Sequence, residues 1–404
     1  MKLLFVVPYT PTLIRTRPYN LLRALARRGN RLTLLTLWTE PAELESAEQL
    51  RSELEAVHAL PMPAWQSLAN SLRALPTPEP LQAWYSWQPR LANRMTALVE
   101  SARASDPFDA VHVEHLRGAK YALHLRSKSP AKPALVWDSV DSIALLFKQS
   151  SAQSSKRFNR WLAQFELKRT ERLEARMMRR FERILVTSQK DRAAFLAYST
   201  PHQPAANVTV LQNGVDLEYF HPDASLPRQE DALVVSGKMS YHANITMVLY
   251  LYQKIMPLIW QQRPGAKLWV VGKDPSAEIL AIASHPNVQV TGTVSDIRPF
   301  LCGASIALAP LVYGAGSQYK VIEAMACGTP VIASRLAAEA FSAEEDCEII
   351  VAQEPAEFAE KALHLLANPN LRQAIGTAGR QYVERRHDWN QLAAQLEEVY
   401  RDTR

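Results

Sequence analysis

The sequence predicts an α/β protein with two doubly wound parallel-sheet domains. Three observations carry this. Short runs rich in Val, Ile and Leu alternate with helical patterns almost throughout the chain. Those runs are continuously apolar rather than alternating, as expected of strands covered by helices on both faces, and hence of parallel sheets. The chain has 404 residues, too many for one ordinary core and enough for two.

In the first half the strand candidates are LLFVVP (3–8), RLTLLTL (31–37), AVHVE (110–114), ALVWDS (134–139), RILVTS (183–188) and VTVLQN (208–213). In the second half they are ALVVSG (232–237), KLWVVG (267–272), VQVTG (288–292), SIALAP (305–310), PVIAS (330–334) and EIIVA (348–352). Two sheets of six strands fit the length. The polar stretch FHPDASLPRQED (220–231) carries two prolines and separates the two series. The domains are therefore expected at 1–222 and 223–386, followed by a C-terminal helix over 387–404. Leu392, Leu396 and Tyr400 mark that helix as amphipathic, able to pack on either domain.

Two stretches break the alternation. Residues 61–90 hold six prolines with Trp65, Trp84 and Trp87, and read as a long loop of the kind that often carries function. Lys156 to Arg192 carries 12 Lys and Arg against 5 acids, and reads as a long basic amphipathic helix running into a strand.

At 47% hydrophobic and 21% charged residues the chain belongs with soluble globular proteins. No apolar run approaches the roughly 18 residues of a membrane span. MKLLFVVPYTPTLI, cut by Pro8 and Pro11, reads as a first strand and not as a signal peptide. Cys302, Cys327 and Cys347 lie in apolar settings without C-x-x-C spacing, so reduced core residues of a cytoplasmic protein are expected. There is no D-x-D and no His cluster at ligand spacing, so no metal and no other cofactor is expected. Residues 1–230 carry 31 basic and 22 acidic residues, a balance of +9 against −3 for the remainder. Such a basic half suits an anionic partner, and the inner face of a cell membrane is one candidate.

The strongest constellation is YGAGSQYKVIEAMACGTPVIAS, residues 313–334. Gly314 and Gly316, with Ser317, open a helix on a tight loop whose free N–H groups favour an anion. Positions 316, 320, 323 and 327 share one helix side, so Lys320 and Glu323 point at whatever the loop holds. A cation suits a diphosphate, and a carboxylate accepts two ribose hydroxyls. The bland alternative is a Lys–Glu pair on a solvated face. Gly237 and Lys238 close the strand 232–237, and Gly272 and Lys273 repeat the arrangement after the next strand. The C-terminal edge of an open α/β sheet is where ligands bind; ordinary βα turns with exposed lysines are the alternative.

In the first half, VHVEHLRG places His112 and Glu114 on one face of a strand and His115 at its end, as a contact to a reacting group or as a simple strand cap. Asp141, ahead of IALLF, reads as a helix N-cap. Arg15 and Arg17, in a loop without glycine, could meet phosphate or acceptor, or water. No Walker loop and no G-x-G-x-x-G is present, which argues against nucleotide triphosphate hydrolysis and dinucleotide redox chemistry. Nothing in the basic helix resembles a nucleic-acid motif, so nucleic acid is not an expected partner.

These residues together resemble a family 4 glycosyltransferase with the GT-B fold, two Rossmann-like domains facing a cleft. The carriers are KVIEAMACGTPVIAS (320–334), LQNGVDLEYFHP (211–222), VSGKMSYHAN (235–244) and TGTVSDIRPFLCGASIALAP (291–310). RPYNLLRALARRGN (17–30) and VHVEHLRGA (111–119) look most like members associated with bacterial surface-polysaccharide synthesis. The resemblance implies a retaining transfer of a sugar from a nucleotide-sugar donor to a glycan or lipid-linked acceptor, without an essential metal. It implies that Glu323 holds the ribose hydroxyls, that Lys238 serves the diphosphate and that His115 touches the transferred sugar. The chain departs from the family at three places. Ala315 stands where a Glu is usual, Ala243 where a second cation is usual, and TLIRTR replaces the N-terminal Gly-rich loop. Lys320 is the expected replacement for the missing cation. A UDP-sugar epimerase-like GT-B enzyme and a non-catalytic GT-B binding or scaffold protein are the alternatives.

Overall fold

The computed structural model describes residues 1–153, 157–199, 208–313 and 318–403. The chain forms two compact units, Met1–Gln212 with Trp389–Arg404, and Asn213–Asp388.

The first unit holds β1 (Lys2–Val7), β2 (Arg31–Trp38), β3 (Ala56–Pro61), β4 (Ala110–Glu114), β5 (Ala134–Val140), β6 (Arg183–Val186) and β7 (Val208–Val210). They form one sheet in the order β3-β2-β1-β4-β5-β6-β7, every neighbour parallel. Successive β1 side chains serve different cores, which is why the strand reads as a continuous apolar run. Leu3, Phe5 and Val7 pack with Leu21, Leu25, Leu392 and Leu396, whereas Leu4 and Val6 pack with Leu91, Met95 and Tyr121.

This sheet has seven strands, not six. The additional one, β3, is an edge strand with one fully buried residue, Val57. A half-buried edge carrying His58 and ending in Pro61 lacks the apolar density that marks its neighbours. Residues 61–90 are also not a loop: they hold the helices Ala64–Ala74 and Leu81–Tyr85 and the start of Pro89–Ala102. Prolines at residues 63 and 80 occupy the N-caps and Pro89 the first turn, where a missing N–H costs nothing. The C-terminal helix Trp389–Arg401 belongs to this unit and packs against the helix Thr16–Arg27. Its Glu397 accepts from Arg28 Nε and Nη2 and from Asn30 Nδ2.

The second unit holds β8 (Gln229–Ser236), β9 (Lys267–Val271), β10 (Val288–Val290), β11 (Ala304–Ala309), β12 (Val331–Ser334) and β13 (Ile350–Ala352). Its parallel sheet runs β10-β9-β8-β11-β12-β13. The division between units falls at 212/213 and not at 222/223. Residues 213–222 are tied to the end of the second unit: Val215 N donates to His387 O at 2.8 Å, and Arg380 Nη1 donates to Phe220 O at 2.6 Å. Of the cysteines, Cys302 and Cys327 are buried, whereas Cys347 is exposed in a turn. Among the described residues no helix is long and apolar enough to cross a membrane.

Candidate functional site

In the second unit the strand order reverses between β8 and β11. The loops leaving two such strands diverge and leave a crevice at their carboxyl ends. A cavity of about 270 Å³ lies there, lined by Gly237 and Lys238 after β8, Leu311 after β11, and Lys320 and Glu323. Tyr241, Ala243 and Asn244 bring in the start of the helix His242–Tyr250, and Gln318 and Tyr319 the start of Tyr319–Ala326. Two helix N-termini, with their free N–H groups and positive dipole ends, thus meet the same space.

The β8 loop is held open by backbone packing. Gly237 has φ +146° and Gly272 φ +149°, values that side chains rarely allow. A Cβ on Gly272 would lie 1.7 Å from Gly237 O. Gly237 N donates to Val271 O at 3.0 Å and Met239 N to Lys273 O at 2.9 Å. Asn244 Nδ2 donates to Lys238 O at 2.9 Å, tying the loop to the helix it opens.

On the helix Tyr319–Ala326, Val321, Ile322, Ala324 and Met325 are buried in the core, leaving Lys320 and Glu323 to the cavity. Lys320 Nζ donates to Gln318 Oε1 at 3.0 Å. Burial lowers the Lys320 ammonium to about 8, against the pull of Glu323. Burial raises Glu323 to about 7, against the pull of Lys320. Each group is held near the point where it changes charge, which suits a ligand that supplies the missing counter-charge.

Gly237, Lys238, Lys320 and Glu323 are therefore brought together as the sequence suggests. Gly272 and Lys273 are not on the cavity wall; Gly272 lies behind it, where two strand-end loops touch. Gly314, Gly316 and Ser317, with Ala315, lie outside the described residues. Tyr241, Asn244, Gln318 and Tyr319 line the cavity and were not singled out as contacts in the sequence. Tyr241 packs on His242, which stacks on Tyr313 at 5.4 Å and 11°. For Tyr241 the adjacent ring pair Tyr241–His242, just ahead of a helix, is the available signal.

In the first unit the order reverses between β1 and β4. Arg17 is buried and does not face solvent. Its Nε donates to Asp138 Oδ2 at 2.8 Å and its Nη1 to Gln212 O at 3.1 Å, with both charged side chains buried. Arg15 pairs with Glu43 at 2.9 Å and donates to Thr10 O, so it holds its own loop. His112 Nε2 lies 3.6 Å from Glu114 Oε2 and 3.8 Å from Asp138 Oδ2, and its Nδ1 is 2.8 Å from the Tyr400 hydroxyl. Burial and the nearby Asp138 raise Glu114. His115 stands at φ +60° where β4 meets the helix His115–Lys128. Burial lowers it to about 4, helped by Arg117, so its imidazole is neutral at pH 7. Asp141 is not the cap of the helix Ile143–Gln153: Ser142 Oγ accepts from Leu145 N, and Asp141 accepts instead from Thr187 Oγ1. One ligand-type atom each of His112, Glu114 and Asp138 lies within 4.8 Å of the other two. Arg17 already supplies positive charge there, so the arrangement fits an internal ion pair better than a metal site.

Two parallel-sheet units, one with a lysine-and-carboxylate cavity at its switch point, define a GT-B protein. Known proteins agree. A domain described as glycosyl transferase 4-like matches residues 14–214, and one described as glycosyl transferases group 1 matches residues 230–368. The chain belongs to the family 4 glycosyltransferases. It is 29% identical over 205 residues to phosphatidyl-myo-inositol mannosyltransferase of Mycobacterium tuberculosis, covering 47% of this chain and 53% of that protein. It is 26% identical over 229 residues to a GDP-mannose-dependent alpha-(1-6)-phosphatidylinositol monomannoside mannosyltransferase of the same species, covering 50% and 58%. The chain thus spans little more than half the length of the curated relatives it matches. Among solved structures, Anabaena HepE in complex with UDP superposes with a TM-score of 0.67 at 15% identity, over the whole of both chains. Sucrose-phosphate synthase from Thermosynechococcus elongatus gives 0.66 at 18%, covering 100% of this chain and 98% of that one. At these identities the likeness concerns the fold.

Proposed function

We propose that this protein transfers a sugar, with retention of configuration, from a nucleotide-sugar donor to a lipid-linked or glycan acceptor in bacterial surface-polysaccharide synthesis. The observation that carries the reading is the convergence of Lys238, Lys320 and Glu323 on one cavity at the β8/β11 switch point. In this reading Glu323 accepts the ribose hydroxyls, and Lys238 and Lys320 hold the diphosphate. Lys320 takes the place of the cation that Ala243 lacks. As the bond between the sugar and the diphosphate breaks, charge builds on the leaving phosphate. The lysines and the two helix N-termini stabilise it, and removing one such donor typically costs ~2.7–4 kcal/mol.

Retention is proposed from the family resemblance, and the lining bears only on the route by which it would be reached. Among the described residues of the cavity wall Glu323 is the single carboxylate. A double displacement on protein carboxylates needs a close pair. Same-face attack needs none: the acceptor oxygen bonds to the anomeric carbon, the sugar–phosphate bond breaks, and the acceptor proton passes to the departing diphosphate. In the first unit, neutral His115 is the candidate for contact with the transferred sugar. The named mannosyltransferase relatives support a lipid acceptor. No metal or other cofactor is assigned a part, and the protein is proposed to work in the cytoplasm at the inner face of the membrane.

The test is a thermal-shift and turnover screen with UDP, GDP and ADP and their sugars, on wild type and Glu323→Ala. One nucleotide series that stabilises wild type and not the variant, with sugar transfer to a lipid extract, is the expected result. Conversion of donor without acceptor would point to an epimerase. Tight binding without turnover would point to a binding subunit.

A further inference from the structure

The helix Ala64–Ala74 is built inside out. Its buried side carries Ser67, Asn70 and Ala74, at 3%, 2% and 0% exposure. Its outer side carries Trp65 at 70%, Leu68 at 63% and Leu72 at 58%, followed by Leu75 at 44%. These four recur at the spacing of one helical face. An ordinary surface helix puts its large apolar residues inward. Here the inner face is small and polar, and Asn70 Nδ2 donates to Trp87 O at 2.7 Å to satisfy it.

The apolar face runs on to a second helix. Arg169 Nη2 donates to Leu75 O at 2.7 Å, and the same guanidinium lies 4.0 Å from the Phe165 ring. Phe165 in turn stacks on Trp161, which is 57% exposed. Cations surround this surface. Arg73, Arg160, Lys168 and Arg172 are exposed, and the helix Ala64–Ala74 has no acid. Glu166 and Glu174 of the second helix turn inward, where they accept from Leu81 N and Ala144 N.

We propose that this surface, Trp65, Leu68, Leu72 and Leu75 with Phe165 and Trp161, seats the first unit on an anionic lipid bilayer. Apolar side chains enter the headgroup–acyl boundary, indoles sit at that level, and the flanking Arg and Lys meet anionic headgroups. Charge selects this occupant over a second copy of the chain. A twofold interface on the same patch would set Arg73 and Arg169 of one copy against those of the other. The inference rests on the lipid-linked acceptor reading, because it places that unit where such an acceptor resides.

The experiment is co-sedimentation of the full chain with vesicles of phosphatidylcholine and phosphatidylglycerol, and of phosphatidylcholine alone, at low and high salt. The test variant is Trp65→Gln/Leu68→Gln/Leu72→Gln. These side chains are exposed, so its unfolding midpoint should match wild type, and sugar transfer to a detergent-dispersed acceptor is assayed alongside. Expected are binding to the anionic vesicles that weakens with salt, and a loss of roughly tenfold or more in the variant. Equal binding by the variant, or no binding by wild type at low salt, overturns the assignment even if transfer is intact. A wild-type dimer that the variant converts to monomer also overturns it, in favour of a second copy. Binding lost in the variant, in a protein that transfers no sugar, sinks the enzymatic reading and leaves the docking surface standing.

Discussion

A Cβ on Gly272 would lie 1.7 Å from the carbonyl oxygen of Gly237, with both residues at left-handed φ. The obstacle is backbone and cannot rotate away, so the two strand-end loops must separate to admit a methyl group. Separation breaks the bonds from Gly237 N to Val271 O and from Met239 N to Lys273 O, which fix the cavity wall. Gly272→Ala is therefore expected to destabilise the second unit by ~3 kcal/mol or more, combining backbone strain with overpacking. It should weaken nucleotide binding as well. Gly292→Ala is the control: φ is +66°, but nothing lies within 4 Å, so a loss of about 1 kcal/mol is expected. Thermal unfolding of the two variants checks the contrast.

Ligand binding should have a narrow pH optimum. Glu323 is raised to about 7 and Lys320 lowered to about 8 in the free protein. A ribose diol needs the carboxylate, so affinity falls below pH 7, approaching tenfold per unit. A diphosphate needs the ammonium, so affinity falls above pH 8. Calorimetric titration of the stabilising nucleotide from pH 5.5 to 9.5, as rough limits for these two titrations, should give a maximum between 7 and 8. A flat profile would remove Glu323 and Lys320 from the site. The sign for stability is opposite. A carboxyl raised in the folded state contributes stability below its unfolded pKa and loses it as pH rises through 7. Glu323→Gln should thus stabilise the free protein at pH 8 by of order 1–2 kcal/mol, after allowance for screening in the open cavity, while binding falls.

Arg17 and Asp138 form a buried ion pair at 2.8 Å. Replacing Arg17 with Met removes the cation beside Asp138 and Glu114, both buried. Breaking one side of a buried pair typically costs 3–5 kcal/mol. The loss should shrink as pH falls, because an orphaned buried carboxylate takes up a proton. Denaturant unfolding of Arg17→Met at pH 7 and pH 5 tests this. A penalty independent of pH would mean that lost packing, not lost charge pairing, is responsible.

What could be read from the sequence follows from burial. Strands covered on both faces, such as Leu3–Val7 and the stretch 306–309, carry their own signal because each side chain is apolar. Lys320 and Glu323 stand out because two charges interrupt such a block at helical spacing. β3 does not stand out, since an edge strand needs only one buried face. Arg17 and Asp138 meet across 121 positions of sequence, and no local pattern encodes such a contact. Residues 61–90 mislead because the helix Ala64–Ala74 turns its apolar side outward, against the usual pattern. Tyr241 enters the cavity through the loop after β8, whose course Gly237 and Gly272 set.

The helix Trp389–Arg401 follows the second unit in sequence but stabilises the first. Leu392, Leu396 and Tyr400 are fully or almost fully buried against Leu21, Leu25 and Phe5. Leu396→Ala should cost ~2–5 kcal/mol by the usual penalty for emptying a core site. That loss should appear in the first unit alone. Scanning calorimetry with and without the stabilising nucleotide separates the two: the ligand raises the transition of the unit that holds the cavity, and Leu396→Ala lowers the other. Tyr400→Phe provides a finer measure. It removes the hydroxyl 2.8 Å from His112 Nδ1, leaving that buried atom without this partner at a cost of ~1–3 kcal/mol. If either variant lowers the ligand-sensitive transition instead, the helix supports the second unit, and its place beside β1 is wrong.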